Sequence, residues 1–391
     1  MELTEEERGL LTGKQGRAAR KAMEILVALG NIYGAKRMID VKSVQIAGVS
    51  YDNLGEAGLE FLQEMAEDGR AKVLATLNPA GMDLEDWREL GISEEFAAKQ
   101  KEVVETFARM GIVTSCTCTP YLVENKPGLG ESIAWSESSA VCYANSVLGA
   151  RSNREGGPSA LAAALTRRTA EYGYHLDEAR QPVVTVEVRV ALDDITDFGA
   201  LGKVVGESLG GRVPYIKGIR HATTDPLKSL CASIATYGGT ALFHAPGITP
   251  EEVKEPDERV FVGRGEIEQA KEEMTDDDEV DFVAIGCPHC SLDELRRIEG
   301  QLKGKRVSRE TWIAVARRVK EEAEQEGIVR GIQESGAKIA ADTCFVVAPI
   351  RGRFRCMATN SAKAVFYGRA KNRFRVVFAP LEKLIEIATR P

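Results

Sequence analysis

The chain alternates short apolar runs with amphipathic segments, the pattern expected of strands that are followed by helices. Apolar runs at residues 43–47 and 71–76 lead through turn residues into helical patterns. Residues 183–191 alternate and predict a strand, and runs at 280–285 and 338–341 stop at loops that contain cysteine. Strands that alternate with helices favour parallel sheets covered on both faces. We therefore expect an α/β fold.

The length of the chain indicates more than one hydrophobic core. It has 391 residues, and the segments 245–257 and 272–279 have the polar composition of linkers. The predicted domains are residues 1–125, 126–257 and 258–391.

Composition and charge exclude several classes of protein. The net charge is −8, with acidic and basic residues interspersed, which argues against a nucleic-acid surface. No apolar run approaches the length that spans a bilayer, and the first residues are acidic, unlike a secretory signal. We expect a cytoplasmic protein without nucleic-acid or membrane partners.

The eight cysteines of such a chain are expected to be free thiols, metal ligands or redox residues. Three of them lie in apolar or mixed stretches, where cysteine usually acts as a small buried hydrophobic residue. These three are Cys142, Cys231 and Cys356. The other five lie in more informative positions.

Cys118, Cys287 and Cys344 each follow a predicted strand, at the sheet edge where α/β proteins bind ligands. Thiolates from three distant segments could converge there on an iron–sulfur cluster. A cubane held by three thiolates leaves one iron open, and that iron can act as a Lewis acid on a hydroxyl and a carboxylate. His289 could donate a hydrogen bond near such a cluster.

Two other interpretations of the cysteines stay open on local spacing. Cys116-x-Cys118 and Cys287-x-x-Cys290 could together form a structural zinc site, although this leaves Cys344 without a role. The segment Cys287-Pro-His-Cys290 also fits a thioredoxin-like redox motif.

Serine and arginine residues in the middle of the chain indicate an anion site. Ser138 and Ser139 precede a helical pattern and can cap it, which exposes amide donors. Arg151 and Arg154 lie just before the next predicted helix, residues 159–172. Arginines beside helix N-termini suit a carboxylate or a phosphate, whereas the alternative is an ordinary capped surface loop.

Lys363 occupies an unusual position in a predicted helix. A cap at Asn360 or Ser361 places it in the first turn, where the helix dipole disfavours cations. Lys363 and Tyr367 are four residues apart and share one helix face. An anionic ligand would explain this lysine, and an exposed lysine without a function is the alternative.

The motifs taken together resemble the aconitase X family. In chain order they are Gly48-Val-Ser50, Cys116-Thr-Cys118-Thr-Pro-Tyr121, Ser138-Ser139, Gly149-Ala-Arg-Ser-Asn-Arg-Glu155, Gly286-Cys-Pro-His289, Asp342-Thr-Cys344 and Ser361-Ala-Lys363. The resemblance spans almost the whole chain, and the Arg151–Arg154 segment is also similar to the wider aconitase superfamily.

The resemblance implies an aconitase-like three-domain body of parallel-sheet α/β/α domains. It also implies a [4Fe-4S] cluster with one open iron, held by Cys118, Cys287 and Cys344. The substrate-binding residues that it implies are Gly48, Val49, Ser50, Asn78, Pro79, Ser138, Ser139 and Lys363. Arg151 and Arg154 join this set on the argument from charge.

The implied activity is elimination of water from a hydroxy acid. The swivelling domain of aconitases is expected on a separate small subunit, in a heterodimer, and by analogy a serine on that subunit would be the base. Archaeal two-subunit members dehydrate (R)-5-phosphomevalonate to trans-anhydromevalonate 5-phosphate in a modified mevalonate pathway of isoprenoid biosynthesis, and this is the activity we expect. The alternatives are dehydration of cis-3-hydroxy-L-proline, as in bacterial relatives, and a non-catalytic, zinc-stabilised interaction subunit.

Overall fold

Three parallel β-sheets, in an N-terminal, a middle and a C-terminal region, organise the protein. A computed structural model describes residues 1–220, 222–276 and 278–390. The expected α/β fold with parallel sheets is confirmed. Within this described part of the chain, no helix combines the length and the apolar character that crossing a membrane requires.

The sheet of the N-terminal region is built around one fully buried strand. The strands of this region are β1 (Met38–Asp40), β2 (Ser43–Ile46), β3 (Leu74–Leu77), β4 (Ala134–Trp135) and β5 (Arg168–Ala170), and its helices are α1 (Glu5–Leu11), α2 (Arg17–Ile32), α3 (Tyr51–Ala66), α4 (Glu94–Arg109), α5 (Ser138–Tyr143) and α6 (Gly157–Thr166). β2 lies between β3 and β4, and α6 packs against it. β1 and β5 form a separate antiparallel pair. β4 completes the sheet although it lies after residue 125, where we predicted the first domain boundary.

The middle region has a smaller sheet and a close pair of helices. Its elements are β6 (Val184–Val188), α7 (Ile195–Leu209), β7 (Pro214–Lys217), α8 (Thr224–Gly238), β8 (Arg259–Val262) and α9 (Arg264–Glu273). The strand order is β7–β6–β8, and β8 lies after the predicted boundary at residue 257. A Cβ at Gly202 of α7 would lie 2.6 Å from the Cβ of Ser233 on α8, so the close helix contact requires glycine there.

The C-terminal region has the largest sheet. Its strands are β9 (Phe282–Cys290), β10 (Glu310–Val315), β11 (Lys338–Ala341), β12 (Cys356–Thr359) and β13 (Arg375–Phe378), and its helices are α10 (Leu292–Leu302), α11 (Arg317–Gln325), α12 (Ile328–Glu334), α13 (Ala362–Tyr367) and α14 (Leu381–Thr389). The strand order is β11–β10–β9–β12–β13, and all pairs are parallel. α10 begins with a capping box in which Ser291 and Glu294 bond each other's backbone.

Some predicted elements differ from the structure. The helix predicted over 159–172 is wrong beyond Thr166, because Arg167 turns into the left-handed region and the chain continues as β5, paired with β1. The helical pattern that begins at Ser138 forms an α-helix up to Tyr143 and a π-helical segment from Ala144 to Leu148. Pairing with a distant strand overrides the local helical pattern in the first case.

The buried hydrophobic residues form three clusters: one in the N-terminal region, one in the C-terminal region and one that joins all three regions. The cluster that joins them contains Trp135 of the N-terminal region, Phe198 of the middle region and Phe282 of the C-terminal region. The regions are therefore packed against one another, and strand ends from different regions can meet.

Candidate active site

A cavity of about 450 Å³ lies where strand ends of the N-terminal sheet meet the C-terminal region. It contains all but two of the residues that we predicted to bind substrate. These are Gly48, Val49, Ser50, Asn78, Pro79, Ser138, Arg154 and Lys363. Ser50 Oγ donates to the backbone oxygen of Val347 at 2.9 Å, which ties the two regions together at this point.

The two exceptions have other partners. Ser139 lies beside the cavity, where its backbone N–H and hydroxyl donate to Glu137 Oε1 at 3.3 Å and 3.0 Å. Arg151 is held further away, since its guanidinium donates to the backbone oxygen of His175 at 3.1 Å and pairs with Asp177. The structure therefore separates Arg151 from the cavity that Arg154 lines.

Cys118, Cys287 and Cys344 are buried and lie near one another. The three are close enough for the charge of each thiolate to act on the others. Burial raises the pKa of Cys287 to about 12, and the charge of nearby Lys363 opposes that rise. The backbone N–H of His289 donates to Cys118 Sγ at 3.2 Å. Three convergent thiols form a donor set that suits an iron–sulfur cluster.

The backbone is irregular in the segment that contains Cys287. Gly286 has a φ of 100°, and a Cβ there would lie 2.2 Å from the backbone oxygen of Ala314, so only glycine fits. The register of β9 against β10 shifts between Ile285 and Cys290, the stretch that contains Gly286 and Cys287.

Cys116 and Cys290 point into other surroundings. Cys116 lies beside Asp342 and Arg317, whereas Cys290 lies beside Lys228 and Glu294. Among residues 1–220, 222–276 and 278–390, no three His, Cys, Asp or Glu side chains are close enough to hold a single metal ion. The zinc site considered for Cys116, Cys118, Cys287 and Cys290 is therefore not formed, because zinc needs its sulfur ligands at about 2.3 Å.

The ring of His289 links the segments that carry two of the thiols. Its Nδ1 bonds Thr117 Oγ1 at 3.0 Å, and its Nε2 bonds the backbone oxygen of Thr343 at 3.0 Å. Burial lowers the pKa of His289 to about 4, so the ring is neutral near pH 7. The expected hydrogen bond near the thiols comes from the backbone of this residue, and its ring connects the neighbouring loops.

Glu137 is a central residue that the sequence reasoning missed. Its side chain is the N-cap of α5, a role that we had predicted for Ser138 or Ser139. The carboxylate accepts a hydrogen bond from Asn78 Nδ2 at 2.9 Å and forms an ion pair with Lys363. Burial alone would raise the pKa of Glu137, but Lys363 and the hydrogen bonds lower it to about 2. Glu137 is therefore ionised at neutral pH.

Gln45 is a second missed residue. It lies on β2, and its Oε1 accepts the backbone N–H of Glu137 at 3.0 Å. Its Nε2 donates to Asn78 Oδ1 at 3.2 Å and to the backbone oxygen of Thr117 at 3.1 Å. The signal in the sequence was a glutamine inside a buried apolar strand, since a buried amide there needs specific partners.

Lys363 occupies the first turn of α13, as predicted. Ser361 caps this helix by accepting the backbone N–H of Ala364 at 3.1 Å. Burial would lower the pKa of Lys363, but Glu137 and the nearby thiols raise it above its ordinary value. Lys363 is thus a buried cation held by Glu137, so the expectation that it could be an exposed lysine is wrong.

Family models match nearly the whole chain. Aconitase X first domain matches residues 1–178, the second domain residues 182–272 and the third domain residues 280–390. Each matched range contains one of the three parallel sheets.

Relatives with similar sequences cover the chain from end to end. It is 48% identical to the phosphomevalonate dehydratase large subunit of Methanosarcina mazei, over 100% of this chain and 97% of that protein. It is 34% identical to the cis-3-hydroxy-L-proline dehydratase of Pseudomonas aeruginosa, over 98% of this chain and 69% of that protein. A crystal structure of Thermococcus kodakaraensis aconitase X in its holo form has a TM-score of 0.93 and 45% identity, covering 99% of this chain and 100% of that one.

Proposed function

Because this chain belongs to the aconitase X family, we propose that it is the large subunit of a dehydratase that removes water from (R)-5-phosphomevalonate. The product is trans-anhydromevalonate 5-phosphate, an intermediate of a modified mevalonate pathway. Full-length similarity to archaeal proteins named phosphomevalonate dehydratase large subunit supports this substrate. The observation that carries the proposal is the set of three buried thiols beside a cavity with a buried ion pair.

We propose Cys118, Cys287 and Cys344 as the ligands of a [4Fe-4S] cluster. The three buried thiols lie near one another, and thiolates are the usual ligands of such clusters, which supports this assignment. When bound, a cluster with one open iron supplies a Lewis acid for the leaving hydroxyl and the substrate carboxylate.

The residues of this chain bind and orient the substrate. Lys363 offers a buried positive charge to an anionic group, and Asn78 and Ser138 add polar contacts beside it. Ionised Glu137 fixes the position of Lys363 and is too weakly basic, with a pKa of about 2, to remove a proton from carbon.

The base is therefore assigned to the partner, a small subunit with the swivelling domain. The word "large" in the names of the relatives supports a two-subunit enzyme. By analogy with aconitase, a serine of that subunit removes the proton. All eight cysteines of this chain are free thiols, which supports a reducing compartment, the cytoplasm.

A test of this function compares two substrates on the assembled enzyme. The chain and its small subunit are produced together without oxygen and assayed with (R)-5-phosphomevalonate and with cis-3-hydroxy-L-proline. We expect turnover of the phosphorylated acid, iron and sulfide in the protein, and absorption near roughly 400 nm. Turnover of hydroxyproline alone would favour the bacterial activity, and full turnover without the small subunit would contradict the assignment of the base.

A further inference from the structure

Two cations at the outer part of the cavity take no part in the network around Glu137. Lys371 lies in the π-turn Gly368–Asn372 that follows α13, and it lines the cavity. Its Nζ is 3.0 Å from Asp52 Oδ2, but the two groups are not in hydrogen-bond geometry. Within the described part of the chain, this buried Nζ makes no hydrogen bond. The ammonium of Lys371 therefore has an ion-pair partner in Asp52 but no hydrogen bond that uses its three donors.

Arg154 is the second cation. It follows β4, where its backbone bridges to Trp135, and its exposed side chain lines the same cavity. Within the residues that the structure describes, the side chain of Arg154 forms no salt bridge. Its guanidinium can donate two parallel hydrogen bonds to a phosphate.

Depth and charge distinguish these cations from Lys363. The side chain of Lys363 is 9% exposed and that of Lys371 is 24% exposed, so Lys371 lies nearer the solvent. The negative charge of Glu137 balances the positive charge of Lys363. Among the described salt bridges, the two positive charges of Lys371 and Arg154 have one negative charge as a partner, that of Asp52. The outer part of the cavity therefore has a net positive charge, and its base beside the thiols does not.

The two ends of the substrate fit this arrangement. In 5-phosphomevalonate the carboxylate and the tertiary hydroxyl lie together, and the phosphate is at the opposite end of the carbon chain. The reacting end must approach the thiols, because they hold the group that acts on the hydroxyl. The phosphate, with about two negative charges, then extends toward the outer part of the cavity.

We propose that Lys371 and Arg154 form the phosphate subsite and determine the preference for a phosphorylated hydroxy acid. This inference rests on the proposed function. It also moves the phosphate away from Lys363, which holds the carboxylate end.

The test compares phosphorylated and unphosphorylated ligands on the assembled enzyme. For Lys371→Ala and Arg154→Ala, we expect kcat/KM for (R)-5-phosphomevalonate to fall about tenfold or more, mainly through KM. The inhibition constant of inorganic phosphate should rise, and that of mevalonate should change less than about twofold, because mevalonate lacks the phosphate. Lys371→Arg should recover part of the loss.

The matched control comes from a neighbouring cation outside the cavity. Arg369→Ala removes an arginine of the same π-turn that donates to the backbone oxygen of Glu273. This control should keep the affinity for phosphomevalonate. Equal losses with mevalonate, or no loss with either ligand, would overturn the phosphate subsite alone. A wild-type enzyme that does not turn over phosphomevalonate would overturn the proposed function itself.

Discussion

The middle region and the two regions that form the candidate site all consist of parallel strands and helices. They differ in the residues at the ends of those strands. In the N-terminal region, β2 and β3 lead into Gly48–Ser50 and Asn78-Pro79, which line the cavity. In the C-terminal region, the irregular stretch of β9 contains Gly286 and the thiol of Cys287. In the middle region, β6 and β7 end in Arg189 and Gly218, away from that site. Parallel topology creates ligand sites only where strand ends with suitable side chains converge.

The middle region instead contacts the segment that follows Cys287, next to the site. Lys228 of α8 is buried, donates to the backbone oxygen of His289 at 2.9 Å and pairs with Glu294 at the start of α10. Burial would lower the pKa of Lys228, but the charges of Glu294 and Asp225 raise it. The middle region thus supports the candidate site through these polar contacts.

The largest expected effect separates the cysteines of the site from those of the core. Cys118→Ser, Cys287→Ser and Cys344→Ser should each lose the cluster and the activity, because each removes one of the three proposed thiol ligands. Iron and sulfide analysis with an activity assay measures this.

The controls are Cys142→Ser and Cys356→Ser, whose thiols are buried outside the site, and both should keep cluster and activity. Full iron content in any of the first three variants would remove that residue from the ligand set. A loss in Cys290→Ser as large as theirs would indicate a fourth thiol ligand and no open iron.

The next effect tests the buried ion pair at the base of the cavity. Lys363→Ala in the assembled enzyme should lose at least about tenfold in kcat/KM with its cluster intact, because a charge-assisted bond contributes roughly 1.5–3 kcal/mol. Glu137→Gln should destabilise the protein by about 3–5 kcal/mol, since it leaves Lys363 buried and unpaired. Urea unfolding measures the stability.

The double variant Glu137→Gln/Lys363→Met provides the control for this pair. It should be less destabilised than the sum of the single variants, because no uncompensated charge stays buried. Additive effects would contradict direct coupling between the two side chains.

A smaller effect is expected from the helix pair of the middle region. Gly202→Ala should destabilise the protein by about 1–3 kcal/mol, because its Cβ would collide with α8. Thermal unfolding measures this, and Gly265→Ala on α9, where a Cβ meets nothing within 4 Å, is the control. Loss of the cluster in folded Gly202→Ala protein would show that the middle region also sets the geometry of the site.

The smallest effect concerns the response of the middle region to acid. Burial lowers the pKa of His244 below its ordinary value, and Arg180 adds to this, while a bond to the backbone oxygen of Arg180 and the charge of Glu251 oppose it. As the pH falls below about 6.5, the unfolded chain binds a proton that folded His244 does not, so stability decreases.

His244→Gln should therefore lose less stability than the wild type between pH 7 and pH 5. The difference should not exceed about 1.4 kcal/mol per pH unit. Urea unfolding at several pH values measures it, and identical pH profiles would show that His244 does not titrate differently in the folded state.

Much of the fold followed from local patterns. The strands at 43–46 and 338–341 were visible in the sequence because hydrophobic periodicity acts over a few positions. The helix predicted past Thr166 was wrong because β5 is stabilised by pairing with β1, far away in the sequence. Local patterns cannot report such a partner.

For the candidate site, as for the fold, one part could be predicted from the sequence and another part could not. The sequence by itself determined which groups are available: three cysteines after predicted strands, Lys363 in a first helical turn, and the glycine and asparagine-proline loops that line the cavity. In the structure, Cys344 follows β11, whereas Cys287 lies within β9. The order of these motifs also determined the family, since their spacing along the chain is a linear property.

Only the tertiary structure decided which groups share one space. It joined Glu137 to Lys363, separated Arg151 from Arg154 and turned Cys290 away from the other thiols. These pairings arise from side chains that are far apart in sequence, and burial decides their energies by removing the competing water. Charge and hydrogen-bond partners in a buried site are therefore set by packing in three dimensions, which no local pattern of residues encodes.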